Sequence, residues 1–437
     1  MLVEEMSLEN IRCFEKINIK FQNYRWITLL SQNGSGKSTI LQALALLLAG
    51  PEGALKLAPR PVGWLRDEEQ AGKISIRVHQ SDNDPGKFGS ERITKSFGYS
   101  YFITGGKRLT VRSKTYTEPG VHEHVEKRLT WLRQNAYVSK GTGWFAVGYG
   151  AFRRLTRSNQ IIVPSLEPQA RFTNFITQFN EEEPLSAFER WMVYLDYRIA
   201  KEKDKESTRQ KELGIAAINK LLPESVKYDS VTAEGRILFD VDGMKVPTIS
   251  LSDGYRSVLA LAGDLVWRLI QAFPESKDPL TEEGIVLIDE LDIHLHPMWQ
   301  RDIAGWLRQQ FPNIQFIVAT HSPLIAAGAG DQALTLRFAL KDGKSVVEPV
   351  KNISTMNVDR ILQSEAFGLV SPYSPQTQQK IDRYDDLIRR GAGATKKERA
   401  ELEQLSLFME EARPIGGPPK PGSIEAKMEA YLEKKLK

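Results

Sequence analysis

The stretch that most limits how this chain folds lies at residues 31–39, S-Q-N-G-S-G-K-S-T, between a short apolar strand at 26–30 and an apolar helix that ends at Gly50. Glycines there let backbone N–H groups close around phosphate oxygens, while the N-terminus of the helix adds the positive end of its dipole. Strand, phosphate-type loop and helix in that order point to an α/β architecture. Lys37 is expected to reach the β- and γ-phosphates of a nucleoside triphosphate, and the Ser38 hydroxyl to ligate Mg²⁺. Asn33, Gly34, Ser35, Gly36 and Thr39 complete the cradle. The usual pattern, G-x-x-x-x-G-K-[ST], opens on Gly where this chain has Ser31, an exchange expected to strain the turn or weaken nucleotide binding.

Two carboxylates follow a second apolar strand in G-I-V-L-I-D-E-L-D-I-H-L-H-P, residues 284–297. Open α/β sheets bind ligands at the C-terminal ends of their strands. Asp289 is therefore expected in the Mg²⁺ shell, and Glu290 beside the attacking water, which it would orient or deprotonate. A third strand, in F-I-V-A-T-H-S-P at 316–323, ends in Thr320, His321 and Ser322. A neutral imidazole there can contact a γ-phosphate and register its loss. Between the loop and the acidic strand lies S-L-S-D-G-Y-R-S, 250–257, ahead of an apolar helix. Ser252 and Gly254 at a helix N-terminus suit a phosphate, although Ser-Asp-Gly is equally an ordinary turn and cap. His294 with His296, and His122 with His124, alternate as a metal pair can, but neither pair has further ligands nearby in the sequence. Structural or interface roles are expected for the first pair and solvated strand positions for the second.

The only cysteine, Cys13, supplies neither a disulfide framework nor a Cys-based metal site, which fits a reducing cytoplasm. The longest apolar run, over 41–49, is far short of the roughly 20 residues that cross a bilayer, and the N-terminal residues show no secretion signal. No membrane partner is expected. Lys plus Arg total 59 against 55 Asp plus Glu, a net charge of +4, which is too mild to name nucleic acid as a partner. A hydrophobic share of 41% over 437 residues suffices for one large or two ordinary cores. Strand-like runs and turn clusters over 51–140 read as an antiparallel insertion, and the charged pattern over 184–222 as a compact helical subdomain. The expected divisions are a nucleotide-binding lobe with loop and insertion at 1–180, a helical lid at 181–249, a second lobe with the later motifs at 250–350, and a helical extension for partner or oligomer contacts at 351–437. Within that extension I-G-G-P-P-K-P-G, 415–422, reads as a flexible joint before a charged helix at 424–437.

Taken in order, the four motifs resemble those of ABC-type ATPases of the chromosome-maintenance (SMC) and recombinational-repair group, and more closely the compact bacterial "AAA family" ATPases related to overcoming-lysogenization-defect (OLD) proteins. S-L-S-D-G-Y keeps Leu251, Ser252 and Gly254 of the ABC signature L-S-G-G-Q. The resemblance implies an ABC-type P-loop ATPase head with an antiparallel β insertion, a helical lid and a C-terminal helical extension, binding ATP and Mg²⁺ between two head-to-head copies. Lys37, Ser38, Asp289, Glu290 and His321 of one copy would meet Ser252 and Gly254 of the other, with Asp292 where the interface is crossed. By the same resemblance Arg12 and Arg25 would lie near the adenine or phosphate edge, and Gln160 is the nearest candidate for the glutamine that contacts Mg²⁺. V-G-Y-G-A-F-R-R at 147–154, I-L-Q-S-E-A-F-G-L at 361–369 and I-D-R-Y-D-D-L-I at 381–388 resemble segments of defence-associated ATPases encoded beside a nuclease, such as the Septu type. That implies a cytoplasmic regulator of a separately encoded nuclease in anti-phage defence. A DNA-repair-like, ATP-gated clamp that binds DNA directly, or a non-hydrolysing scaffold, are the alternatives.

Overall fold

Strands made of consecutive apolar residues lie side by side in the interior of the computed structural model, which describes residues 1–31, 34–80, 84, 96–111, 114–123, 132–134, 136–137, 143–153, 170–180, 185, 187–223, 225–341, 344–364, 367–369, 371, 373–393 and 395–412. The chain opens with β1 (Leu2–Ile11), β2 (Phe14–Lys20) and β3 (Trp26–Leu30), then helices α1 (Lys37–Ala49) and α2 (Pro51–Leu57). Next come β4 (Gly72–His79), β5 (Ser96–Thr104), β6 (Leu109–Val111), β7 (Lys114–Tyr116), β8 (Gly120–Glu123) and β9 (Phe145–Tyr149). The later strands are β10 (Val226–Val231), β11 (Ile237–Val241), β12 (Met244–Pro247), β13 (Gly284–Ile288), β14 (Ile314–Thr320), β15 (Leu334–Lys341) and β16 (Lys344–Pro349).

The central sheet has the order β16-β15-β3-β14-β13-β9, parallel from β15 to β9 with β16 antiparallel on its edge. Both faces of its middle are covered, so the middle strands are apolar throughout instead of alternating. Ile27, Leu29, Ile285, Leu287, Ile317 and Ala319 point into one core together with α1, while Trp26, Val286, Ile288, Phe316 and Val318 point into a second. That second core is closed by the helices Ala187–Glu202, Lys205–Leu221, Asp253–Ala272 and Pro297–Gln310. Helix α1 is buried along nearly all of its length, because β4 and the central sheet both pack on it. At the N-terminal ends of the strands, the buried Gln315 amide accepts from Val3 N (2.7 Å) and donates to Val3 O (3.0 Å) and Tyr24 O (3.1 Å), pinning β1 to β14.

Two expectations change. Of the strands read as an insertion, only β6 and β7 form a sheet of their own among the described residues, whereas β4 pairs with β1 and β5 with β4, extending the N-terminal hairpin into one sheet, β2-β1-β4-β5-β8. Pairing across the chain segment that holds the loop is a long-range choice that local pattern does not carry. The stretch read as helical to 249 ends its helices at Leu221 and continues as a three-stranded antiparallel meander, β10-β11-β12. Asp204 separates its two helices by accepting from Glu206 N and Ser207 N at the second helix's start.

The described residues fall into two compact units, Met1–Phe367 and Gly368–Lys437. Within the second, Pro375–Arg390 and Lys396–Ala412 pack together through an Arg383–Glu401 ion pair at 2.9 Å. Asn33, His124, Gln160, the joint at 415–422 and the helix expected at 424–437 lie outside the described residues. Among the described residues no helix is long and apolar enough to cross a membrane.

Candidate functional site

The three strands that carry motifs, β3, β14 and β13, are neighbours in the sheet and run parallel. Their C-terminal ends therefore deliver Ser31, His321 and Asp289 to one edge. From β3 the chain turns through Gly34 (φ 78°) and Gly36 (φ 98°), the latter in the left-handed region at the N-cap of α1. Gly36 has a second reason to be glycine: a Cβ there would come 2.4 Å from Phe14 Cζ and 2.6 Å from Cys13 Sγ. With no acidic side chain in the first turn of α1 and no side-chain cap, the helix's N–H groups are left for an anion.

Lys37 is 6% exposed. Its Nζ donates to Ser31 Oγ at 2.9 Å and Ser31 O at 3.3 Å, and lies 2.9 Å from His321 Nε2. Burial pulls the Lys37 amine below its usual range, opposed by the charges of Asp289, Glu290 and Asp292. His321 is likewise held below the ordinary imidazole value, first by burial and then by Lys37. The neutral ring that results can accept from the ammonium. The Ser31 side chain also takes a hydrogen bond from Ser35. The residue that departs from the usual loop pattern thus has its hydroxyl engaged on the loop lysine.

The Ser38 hydroxyl lies beside the Asp289 carboxylate; burial raises that carboxyl above the usual range, with Ser38, Lys37 and Arg153 opposing. Asp289 Oδ1 is buried with no hydrogen-bond partner among the described residues. A hydroxyl and an oxygen of a mostly buried carboxylate, one of them unsatisfied, is the donor set that Mg²⁺ takes together with phosphate and water. Ser38 and Asp289 therefore fit the cation. Glu290, next in line, has φ 45°, a backbone conformation that L-residues seldom adopt.

Asp292 has its carboxylate engaged within the chain, accepting from Thr320 Oγ1 and from His321 N (3.2 Å). It fixes the turn that presents His321. Ser252 caps the helix Asp253–Ala272, accepting from Tyr255 N, and is exposed. Gly254 lies against the turn after β13, where a Cβ would come 3.0 Å from His294 O. The contacts found for Ser252 and Gly254 therefore lie outside the group formed by Lys37, Ser38, Asp289 and His321. His296 caps the helix Pro297–Gln310 through Nδ1, which accepts from Met298 N.

The two arginines expected at the nucleotide edge separate. Arg12 Nη1 donates to Gln42 Oε1 (2.8 Å) and Thr39 Oγ1 (3.3 Å), and the guanidinium stacks 4.4 Å from the Trp64 ring centre, so it does stand beside the loop helix. Arg25 does not. It bonds Asn313 O and Glu283 Oε1 (3.2 Å), which precede β14 and β13, so it sits at the opposite end of the parallel strands as a latch. His122 is a further correction. Rather than being solvated, it is half-buried 4.2 Å from the Tyr116 ring, with Nε2 3.0 Å from Thr104 Oγ1, and burial lowers its pKa.

Sequence reasoning missed two groups. Arg153, given no role of its own in the sequence reading, is 4% exposed and spans the carbonyls of Gly150, Asp289 and Glu290. Gln178 is buried against Gly148, with its side-chain N and O both lacking partners among the described residues, and its carbonyl accepts from Gln42. The preceding glycines, Gly148 and Gly150, were the available signal, since a Cβ at either would strike residue 178 or 177.

Residues 32–327 match a family model described as "AAA domain, putative AbiEii toxin, Type IV TA system". The chain is similar to the Septu protein PtuA of Bacillus mycoides (strain KBAB4), 25% identical over 431 residues, covering 95% of this chain and 51% of that protein. It is also similar to the Retron Vc95 probable ATPase of Vibrio cholerae serotype O1 biovar El Tor, 23% identical over 442 residues, 89% of this chain and 84% of that protein. The chain thus spans about half the length of the first of these relatives. Among solved structures, the crystal structure of the SmcHead bound to the C-winged helix domain of ScpA shares the fold, with a TM-score of 0.50 and 18% identity over 82% of this chain and 99% of that one.

Proposed function

The chain belongs to this AAA-domain family of P-loop ATPases, and on that premise we propose that two copies close head to head around ATP, hydrolyse it, and through that switch regulate a separately encoded nuclease in anti-phage defence. Asn33, Gly34, Ser35, Gly36 and Thr39 offer the cradle, and Lys37 exchanges Ser31 and His321 for phosphate oxygens. Ser38 and Asp289 would hold Mg²⁺, which when bound neutralises charge building on the phosphates. Glu290 orients or deprotonates the attacking water. His321, neutral and beside Lys37, registers the γ-phosphate. Ser252 and Gly254 of the second copy close the site.

What supports pairing is the division of the motifs: Lys37, Ser38, Asp289 and His321 meet within one chain, whereas Ser252 stands exposed at the N-terminus of a separate helix. Loss of the γ-phosphate would remove contacts from both copies at once and loosen the pair, a change of state a partner can read. The similarity to PtuA and to the retron ATPase supports the defence setting. The test is the mass of the Glu290→Gln protein in solution with ATP and Mg²⁺. Expected is a stable dimer that turns ATP over far more slowly than the unaltered chain, and no dimer in Lys37→Ala. A monomeric Glu290→Gln protein with ATP bound would end the paired reading.

A further inference from the structure

Arg153 belongs to none of the four motifs, and its surroundings give it one task. Its side chain leaves the turn after β9, is 4% exposed, and lies under the end of β13. Nη1 donates to Gly150 O at 2.8 Å and to Asp289 O, and Nη2 donates to Glu290 O at 2.8 Å. The guanidinium is therefore tied to the backbone of the two acidic residues in succession, and to neither of their carboxylates. Glu290 has φ 45°, and its carbonyl also accepts from Ile293 N at 3.2 Å. A non-glycine residue persists in that region only where its surroundings over-determine it.

We infer that Arg153 is a positioning residue, which holds the Asp289–Glu290 peptide in its left-handed turn and so aims the Glu290 carboxylate at the attacking water. The inference rests on the role given to Glu290 above. Arginine suits the task because its planar fork places two nitrogens on two successive carbonyls, and its charge strengthens each bond. A lysine ammonium is a single nitrogen and cannot span them in the same way. Burial lowers the Arg153 pKa to about 10, opposed by Asp289, Asp292 and Glu290, so the group stays charged at neutral pH. Without the fork Glu290 can relax to a negative φ, swinging its side chain away. The loop cradle, built from β3 and α1, is untouched.

The test compares Arg153→Lys, Arg153→Gln, Glu290→Gln and the double variant Arg153→Gln/Glu290→Gln in the full chain, reading the Kd for a fluorescent ATP analogue and the steady-state kcat. Expected for both Arg153 variants is a Kd within about threefold of the unaltered chain and a kcat lower by about 100-fold, the loss that misplacing a reacting group by an ångström brings. Expected of the double variant is a rate no lower than that of Glu290→Gln alone, because the arginine acts through that carboxylate. A general structural defect would instead weaken nucleotide binding and slow the double variant further, and either outcome overturns the inference. So does an unchanged kcat in Arg153→Lys, which keeps charge and bulk should Arg153→Gln not fold. If Glu290→Gln itself turns over ATP at the normal rate, what fails is the role of Glu290, a result separable from normal turnover in the Arg153 variants.

Discussion

At the scale of single residues, the loop is held by sterics as much as by hydrogen bonds. Gly36→Ala must place a methyl where Phe14 and Cys13 already sit, at a φ of 98°. The left-handed backbone costs roughly 1–2 kcal/mol and forced repacking about 1–3 more. The variant is expected to unfold earlier in a thermal melt and to lose nucleotide binding; an unchanged melt would show that the loop gives way easily. Ser31 supports an opposite expectation. Its hydroxyl competes with phosphate for Lys37, and that bond contributes about 1 kcal/mol. Ser31→Ala is therefore expected to bind ATP severalfold more tightly by calorimetry, and weaker binding would show that Ser31 serves the nucleotide directly. His321 adds a pH dependence. Its folded pKa lies below the ordinary 6.5, so the folded chain resists protonation, and its contribution to stability, whole above 6.5, declines as pH falls through that value. His321→Gln should show a shallower loss of melting temperature between neutral and acid pH than the unaltered chain, and an equal slope would remove His321 as the cause.

At the scale of elements, the helix that begins at Ser252 is joined to the central sheet by a buried polar group. Tyr149 Oη donates to Asp264 Oδ2 at 2.9 Å, Arg268 Nε to the same oxygen at 2.6 Å, and Arg268 Nη1 to Asn174 Oδ1 at 2.5 Å. Asn174 in turn donates to Ala146 O on β9. Removing one partner from such a set leaves a buried charge, which costs about 3–5 kcal/mol, whereas loss of one neutral donor costs about 1 kcal/mol. Asp264→Ala should therefore lower the denaturant midpoint far more than Tyr149→Phe does. Equal effects would mean that Arg268 finds water once Asp264 is gone. None of these pairings is visible in the sequence, because Asp264 and Arg268 look like polar interruptions of an apolar helix and Tyr149 like one more strand residue.

At the scale of the whole molecule, the reading of an ATP-joined pair makes a prediction that single chains cannot satisfy. Lys37→Ala and Ser252→Arg proteins should each be inactive alone. Mixed together they should recover measurable turnover, since one site of the mixed dimer combines an intact Lys37 with an intact Ser252. No recovery on mixing, with both variants folded, would place Ser252 outside the nucleotide site.

The sequence alone determined the α/β class, the existence of the motif-bearing strands, and the helices that follow them, because these are short-range matters of apolar run length, glycine placement and capping. The apolar helix expected after the motif at 250–257 is Asp253–Ala272, and the strand expected in 316–323 is Ile314–Thr320. Only the tertiary structure decided that β4 and β5 join the N-terminal hairpin, that Arg25 lies at the far end of the sheet while Arg12 stands by the loop, and that Arg153 underlies Glu290. Each of those depends on which distant segments come into contact, and a local pattern fixes what a segment can bury but not what it is buried against.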